Sequence, residues 1–520
     1  MREPSTSPAS SVASTGVDGL DEILNGGLPR NRLYLLDGEP GTGKTTLAMQ
    51  FLMAGAAAGE RGLYVTLSES RIELEAVAAS HGWSLDGVEI YELIDAAGTG
   101  GAEGYTIFHP AEVELQQTMD SVLAAVARFN PTRVVFDSLS EMRLLARDPL
   151  RFRRQILTLK QFFAGRQCTV LLLDDKTAPE GDLQLHSLAH GVILLEHVSL
   201  EYGAERRRMS VVKLRGLRFR GGYHDFRILT GGIAIYPRIR LDRMSLEATT
   251  ETVSSGSGAI DRLLGGGIAK GTSVLFTGAA GTGKSVLSAQ YACAALERGE
   301  QVRFYLFDER MHTFLTRMRG LGMAFEDGLA DGRLVVQQIE PTELSPGEFA
   351  AKVVHAVEHE GVTLVVIDSI NGYLQSMPEE RLLPIQVHEL LSYLAEHGVT
   401  SIMTLVQHGI FGAPVDEAAD ISYLADTVVL LRYFEVEGSV RQAVSIVKKR
   451  SGDHERTIRE CRVAHGGLEL GEPLREFQGV LTGVPSYTGG SQPLMKDRVD
   501  GAARLARPKR ATRSRGAADA

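Results

Sequence analysis

Residues Leu33–Thr46 read LYLLDGEPGTGKTT, and this stretch decides the fold. The run Leu33–Leu36 is short, continuous and apolar, as a fully buried strand should be. It leads straight into GEPGTGKTT, Gly38 to Thr46, and a helical pattern follows. This is the phosphate loop GxxxxGK[ST] in the strand–turn–helix context that such a loop needs. Glycines let main-chain N–H groups turn inward on phosphate oxygens, and the helix that starts there adds the positive end of its dipole. Gly38, Gly41, Thr42 and Gly43 make the cradle, Lys44 reaches the outer phosphates, Thr45 offers its hydroxyl to magnesium, and Thr46 continues the first turn. ATP and Mg2+ are therefore the expected cofactors.

Outward from this loop the chain repeats itself. GVDGLDEILNGGLPRNRLYLLDGEPGTGKTTLAMQF from Gly16 returns as GSGAIDRLLGGGIAKGTSVLFTGAAGTGKSVLSAQY from Gly256, an offset of 256 − 16 = 240 residues. Later landmarks follow: VVFDSLS ending at Ser140 answers VVIDSI ending at Ile370, and VVKLRG at Val211 answers IVKKRS at Ile446. So long a period is two copies of one domain rather than a solenoid unit. The second loop supplies Gly278, Gly281, Thr282, Gly283, Lys284, Ser285 and Val286 in the matching places. The boundaries expected are a disordered amino terminus over 1–15, a first domain over 16–240, a linker over 241–255, a second domain over 256–477 and a basic disordered tail over 478–520.

Each copy alternates short apolar runs with helix-length amphipathic segments. Leu33–Asp37, Gly62–Leu67, Arg133–Asp137 and Thr169–Leu173 read as buried strands, which predicts α/β domains with a mostly parallel sheet flanked by helices and chemistry at the strands' carboxyl ends. Strands near 191–196 and 210–214, and near 427–431 and 443–447, would extend the two sheets.

Asp137 and Asp368 close the runs VVFD and VVID, where an acid facing the loop can hold a metal-bound water; the plain alternative is a helix N-cap. Water attacks ATP poorly unless a carboxylate orients it and takes its proton. YVTLSES offers Glu69 for this, and FYLFDER offers Asp308 and Glu309 side by side. Lys213 with Arg215, and Lys448 with Arg450, alternate late in each copy; period two puts each pair on one strand face. They are either solvated edge residues or cations that cross a subunit boundary to a neighbour's γ-phosphate.

The chain has 520 residues, 43% hydrophobic and 23% charged, with a formal charge of −10, so ordered globular domains are expected and a dedicated duplex-binding protein is not. Three scattered cysteines, Cys168, Cys293 and Cys461, give no disulfide framework or zinc spacing. The amino terminus lacks a signal-peptide core and no apolar stretch is long enough to span a membrane, so a cytoplasmic location is expected. The arginine-rich tail from Lys496 reads as a solvated, disordered segment or as a contact for nucleic acid or an acidic partner.

GGLPRNRLYLLDGEPGTGKT, FDSLS, VVKLRG and DTVVLLRYFEVEGSVRQAVSIVKKRSGDHE together resemble the KaiC family of circadian clock proteins, tandem RecA-like ATPases, from Gly16 to about Phe477. The resemblance implies a two-tiered homohexamer with ATP between subunits, slow hydrolysis in the first domain, serine/threonine autokinase and phosphatase activity in the second, and KaiB-like or two-component signalling partners. Two departures stand out. The family's paired glutamates are Ser68 and Glu69 in the first copy and Asp308 and Glu309 in the second. The family's adjacent Ser-Thr phosphoacceptors match EAADISYLADTVVLL as Ser422 followed by Tyr423, so Ser422 is the expected acceptor. A DNA-driven motor is the competing reading, with RFRRQ at Arg151 and ERRRMS at Glu205 as its internal candidates; a scaffold that binds ATP mainly to assemble is the third.

Overall fold

The computed structural model describes residues 11–93, 110–146, 148–175, 184–199, 203–241, 250–375, 382–407, 421–436, 438–480 and 486–487. The two copies form two nine-stranded sheets of the same topology. In the first, the strand order is Val88–Glu92, Gly62–Thr66, Arg133–Asp137, Thr169–Asp175, Leu33–Gly38, Gly191–Val198, Arg206–Leu214, Tyr223–Leu229, Gly232–Tyr236. Six strands are parallel and the last three return as an antiparallel meander. The second sheet places Ser273–Gly278 between Thr400–Val406 and Thr427–Val436 in the same way. These are two tandem RecA-like domains.

Period-two alternation explains the layers. Leu33 and Leu35 pack with Phe136, Ile156 and Leu172 on one face, whereas Tyr34 and Leu36 pack with Leu47, Phe51 and Leu171 under the loop helix Lys44–Ala57 on the other. Both faces are covered, which is why the central strands carry almost no polar residue until their carboxyl ends. There the phosphate-loop strand is flanked by parallel strands on both sides, leaving its loop at the sheet's ligand edge.

Ordered structure extends past the expected boundaries at the start of each copy and at the end of the second. Val12–Ala13 pairs antiparallel with Leu28–Pro29, and Thr15 donates to Asp21, so ordered chain starts before Gly16. Thr252–Val253 pairs with Ile268–Ala269 and Ser255 donates to Asp261, so the second copy begins inside the stretch expected as linker. Phe477–Gln478 pairs with Ser486–Tyr487, and Val480 is buried beside Phe434 and Leu474, inside the stretch expected as disordered tail. Short polar segments conceal such two-residue pairings. Residues 1–10, 242–249 and 488–520, the basic run included, lie outside the described residues.

The copies also touch. Asp225 of the first accepts a 2.8 Å hydrogen bond from the Gly347 N–H, at the start of helix Pro346–Glu360 of the second. Arg227 reaches Glu348 at 3.3 Å, and Arg238 reaches Glu389 at 2.5 Å.

Candidate phosphate-binding sites

The first loop is shaped by glycine. A Cβ on Gly38 would lie 2.6 Å from the Leu195 carbonyl and 2.8 Å from Thr42 Oγ1, so the strand end admits no side chain. Gly41 and Gly43 have φ of 79° and 97°, where other residues are strained. A Cβ on Gly41 meets nothing within 4 Å, because that side of the loop faces the open cradle. Thr42 folds inward on the Glu39 carbonyl at 2.8 Å, and Thr46 is buried. Lys44 arches over the loop, 2.9 Å from the Gly38 carbonyl, 2.8 Å from that of Glu39 and 2.7 Å from Asp175 Oδ1.

Thr45 Oγ1 donates to Asp137 Oδ2 at 3.1 Å, which joins the loop to the end of strand Arg133–Asp137. The Tyr64 hydroxyl donates to the same oxygen. Burial pushes the Asp137 carboxyl above its usual range, against the hydrogen bonds from Tyr64 and Thr45 and the Lys44 charge. Glu69 stands beside this group: its Oε2 is buried with no hydrogen-bond partner, and burial, then the charges of Asp137, Glu73 and Asp175, hold its carboxyl above the ordinary glutamate value. A hydroxyl, an acid, a lysine and a proton-hungry second acid therefore surround one glycine cradle. The hydroxyl and carboxylates are the hard oxygen donors that suit Mg2+.

The second loop repeats this with other neighbours. Lys284 donates to the Gly278 and Ala279 carbonyls at 2.9 and 2.7 Å, and Thr282 to Ala279 at 2.9 Å. Burial presses the Lys284 ammonium down to about 8, with Asp368 opposing. Burial raises Asp368, while hydrogen bonds from Ser285 and Thr404 pull the other way. A cavity of about 540 Å3 opens beside Gly281, Gly283, Lys284, Ser285, Glu309 and Arg317, with Val286 also on its wall. Asp308 accepts from the Ser369 hydroxyl next to Asp368, whereas Glu309 turns to Arg317. The adjacent acids of the sequence thus face different partners.

The late cations do not sit as strand alternation predicts. Strands Arg206–Leu214 and Ser439–Lys449 end before Arg215 and Arg450, so neither lysine–arginine pair shares a strand face. Instead the first pair holds the short helix Gln184–Leu188 and the second a turn at 422–424. Lys213 donates to the His186 carbonyl and Arg215 to that of Ser187 at 3.4 Å. Lys448 donates to the carbonyls of Ser422 and Tyr423 at 3.1 and 3.3 Å, and Arg450 to that of Tyr423 at 2.9 Å. Residues 417–420 of the acceptor segment lie outside the described residues.

Sequence reading missed Tyr64, Asp175, Ser369 and Arg317. Asp175 had a signal, since Asp174–Asp175 closes the apolar run Thr169–Leu173 at the ligand edge. Tyr64 had none, because alternation assigns it to the core. Of the arginines proposed for DNA, those of ERRRMS are engaged within the chain: Arg206 is buried against the Pro341 carbonyl at 3.0 Å, Arg207 pairs with Glu205, and Arg208 with Glu196; Arg151, Arg153 and Arg154 of RFRRQ are exposed on helix Pro149–Ala164. Among the described residues no helix is long and apolar enough to cross a membrane.

Twin loops of this geometry on twin RecA-like sheets define a tandem P-loop ATPase. The chain belongs to the KaiC family: the family described as ATPase: KaiC matches residues 13–240 and again 253–475. It is 25% identical over 486 residues to the circadian clock protein KaiC3 of Synechocystis sp., covering 92% of this chain and 95% of that protein. It is 26% identical over 497 residues to the circadian clock oscillator protein KaiC of Picosynechococcus sp., covering 94% and 95%. The corresponding protein of Thermostichus vulcanus is 26% identical over 478 residues, 91% of each chain.

Proposed function

We propose that this protein binds ATP with Mg2+ in both loops, hydrolyses it in both, and phosphorylates its own Ser422. The duplicated contact between loop hydroxyl and strand-end acid carries this reading, since Thr45 with Asp137 and Ser285 with Asp368 recur one repeat apart. Mg2+ held there through water would neutralise charge on the β- and γ-phosphate oxygens. Lys44 and Lys284 bind those oxygens and orient the chain of phosphates. In the first site Glu69 takes a proton from water as its oxygen bonds to the γ-phosphorus; the bond to the β-phosphate oxygen breaks and ADP leaves. In the second, Asp308 accepts the proton of the attacking water or of the Ser422 hydroxyl, and Glu309 holds Arg317 at the cavity wall.

ATP lies between subunits of a homohexamer in this reading, and the Lys213–Arg215 and Lys448–Arg450 turns face the neighbour's nucleotide. The bracing of Ser422 by Lys448 supports its role as acceptor, because a held turn presents its hydroxyl in one place. A KaiB-like or two-component signalling protein is the partner class, clock-type signalling the physiological role, and the cytoplasm the location. Incubation with Mg2+-ATP, light scattering for ring size, phosphate-release assays on Lys44→Ala and Lys284→Ala, and mass-spectrometric mapping test it. An unmodified Ser422 peptide removes the kinase part, and turnover at background level leaves only an ATP-assembled scaffold.

A further inference from the structure

Among the described residues the two loop lysines differ in one contact. A lysine ammonium carries three protons, and Lys44 commits all three, to the carbonyls of Gly38 and Glu39 and to Asp175 Oδ1 at 2.7 Å. Lys284 makes only the two carbonyl contacts among the described residues. The sheet register explains this: Gly38 lies opposite Asp175, whereas Gly278 lies opposite Val406. Asp175 is itself held in place, for its Oδ2 and its main-chain N–H both meet Ser140 Oγ at 3.1 Å. Its charge also reaches Glu69 and Asp137, raising both.

Triphosphate oxygens can reach Lys44 only by displacing one of its partners, and the carboxylate is the partner that carries charge. Asp175 also adds negative charge where the γ-phosphate must come. We propose that Asp175 is a positioning residue that clamps Lys44 and sets the first domain's ATP affinity below that of the second. The proposal rests on the reading that both loops bind ATP.

Calorimetry of the full chain with Mg2+ and a non-hydrolysable ATP analogue tests it. Wild type should give two classes of site, and Asp175→Asn should tighten the weaker one by about three- to tenfold, the size expected on removing one partly screened charge. Asp175→Glu should keep the wild-type curve. Val406→Asp should weaken the other class, transplanting the clamp. In turnover the half-saturating ATP concentration of Asp175→Asn should fall by more than kcat changes, a split that a merely structural residue would not produce. If Asp175→Asn leaves both constants unmoved, or weakens the weaker one, the clamp is wrong while the ATP reading stands. No heat from wild type would instead remove the ATP reading and the clamp together.

Discussion

Glu309 is held by Arg317 through two contacts, Nη2 to Oε2 at 2.5 Å and Nε to Oε1 at 3.3 Å. Both Glu309 oxygens are thus taken up by one guanidinium, whereas Asp308 accepts from the Ser369 hydroxyl beside Asp368. The two neighbours should separate kinetically. With the first loop silenced by Lys44→Ala, Asp308→Asn should cut phosphate release by about 100-fold or more, the usual scale for losing a general base. Glu309→Gln should cost under about tenfold, because the ion pair it loses is part exposed and contributes at most about 1 kcal/mol. Equal losses in the two variants would return the role to the pair.

Lys284 makes second-loop binding depend on pH. Its ammonium titrates near 8, against an ordinary 10.5, so the cation that grips phosphate is present at pH 7 and fades as pH passes 8. Binding of the Mg2+-ATP analogue to the second loop should weaken by about tenfold from pH 7 to pH 9, one unit being tenfold in the charged fraction. Stability runs the other way: between 8 and 10.5 the unfolded lysine holds more protons, so this group's contribution to folding rises with pH. Calorimetry across that range checks the first trend, and a flat profile contradicts it.

Much of this was legible because each signal was local. The strand into GEPGTGKTT, the acids ending VVFD and VVID, and the 240-residue offset are contiguous patterns with one physical reading each. What stayed hidden depends on neighbours distant in sequence. Asp175 meets Lys44 only because two strands pair in register, and Arg317 meets Glu309 only because helix Met311–Gly320 turns back over the cavity. The strand face assigned to Lys213 and Arg215 failed for a related reason: the strand stops at Leu214, and no residue in VVKLRG before the glycine announces that end.

Glycines in one loop should not be equivalent. A Cβ on Gly278 would sit 2.0 Å from the Leu431 carbonyl, a clash with backbone that cannot move without opening the sheet. Gly278→Ala should therefore abolish nucleotide binding by the second loop and lower the melting temperature of that half. Gly41→Ala, at φ 79° with open space around it, should cost only about 1 to 2 kcal/mol of backbone strain. Differential scanning calorimetry of both variants distinguishes these outcomes; similar losses would show that positive φ, not close approach, governs the loop.

Arg133 fixes the far end of the metal-facing strand. It is 1% exposed, and its Nε lies 2.6 Å from Glu60 while Nη1 donates to the carbonyls of Ser14 and Phe51 at 2.7 and 2.6 Å. Its guanidinium also stacks 4.7 Å from the Phe51 ring. Arg133→Met keeps the bulk but leaves Glu60 paired with Arg30 alone of its two arginines and takes the donor from the Ser14 and Phe51 carbonyls, so it should destabilise the first domain by about 2 to 4 kcal/mol. Glu60 is held below its usual value by Arg30 and Arg133 against burial, so its contribution is present near neutral pH and is lost as pH falls through its folded pKa. Arg133→Met should accordingly lose much of its deficit relative to wild type when denaturant melts are repeated in acid. A deficit that stays constant with pH would show that packing against Phe51, not the charge pair, is what Arg133 contributes.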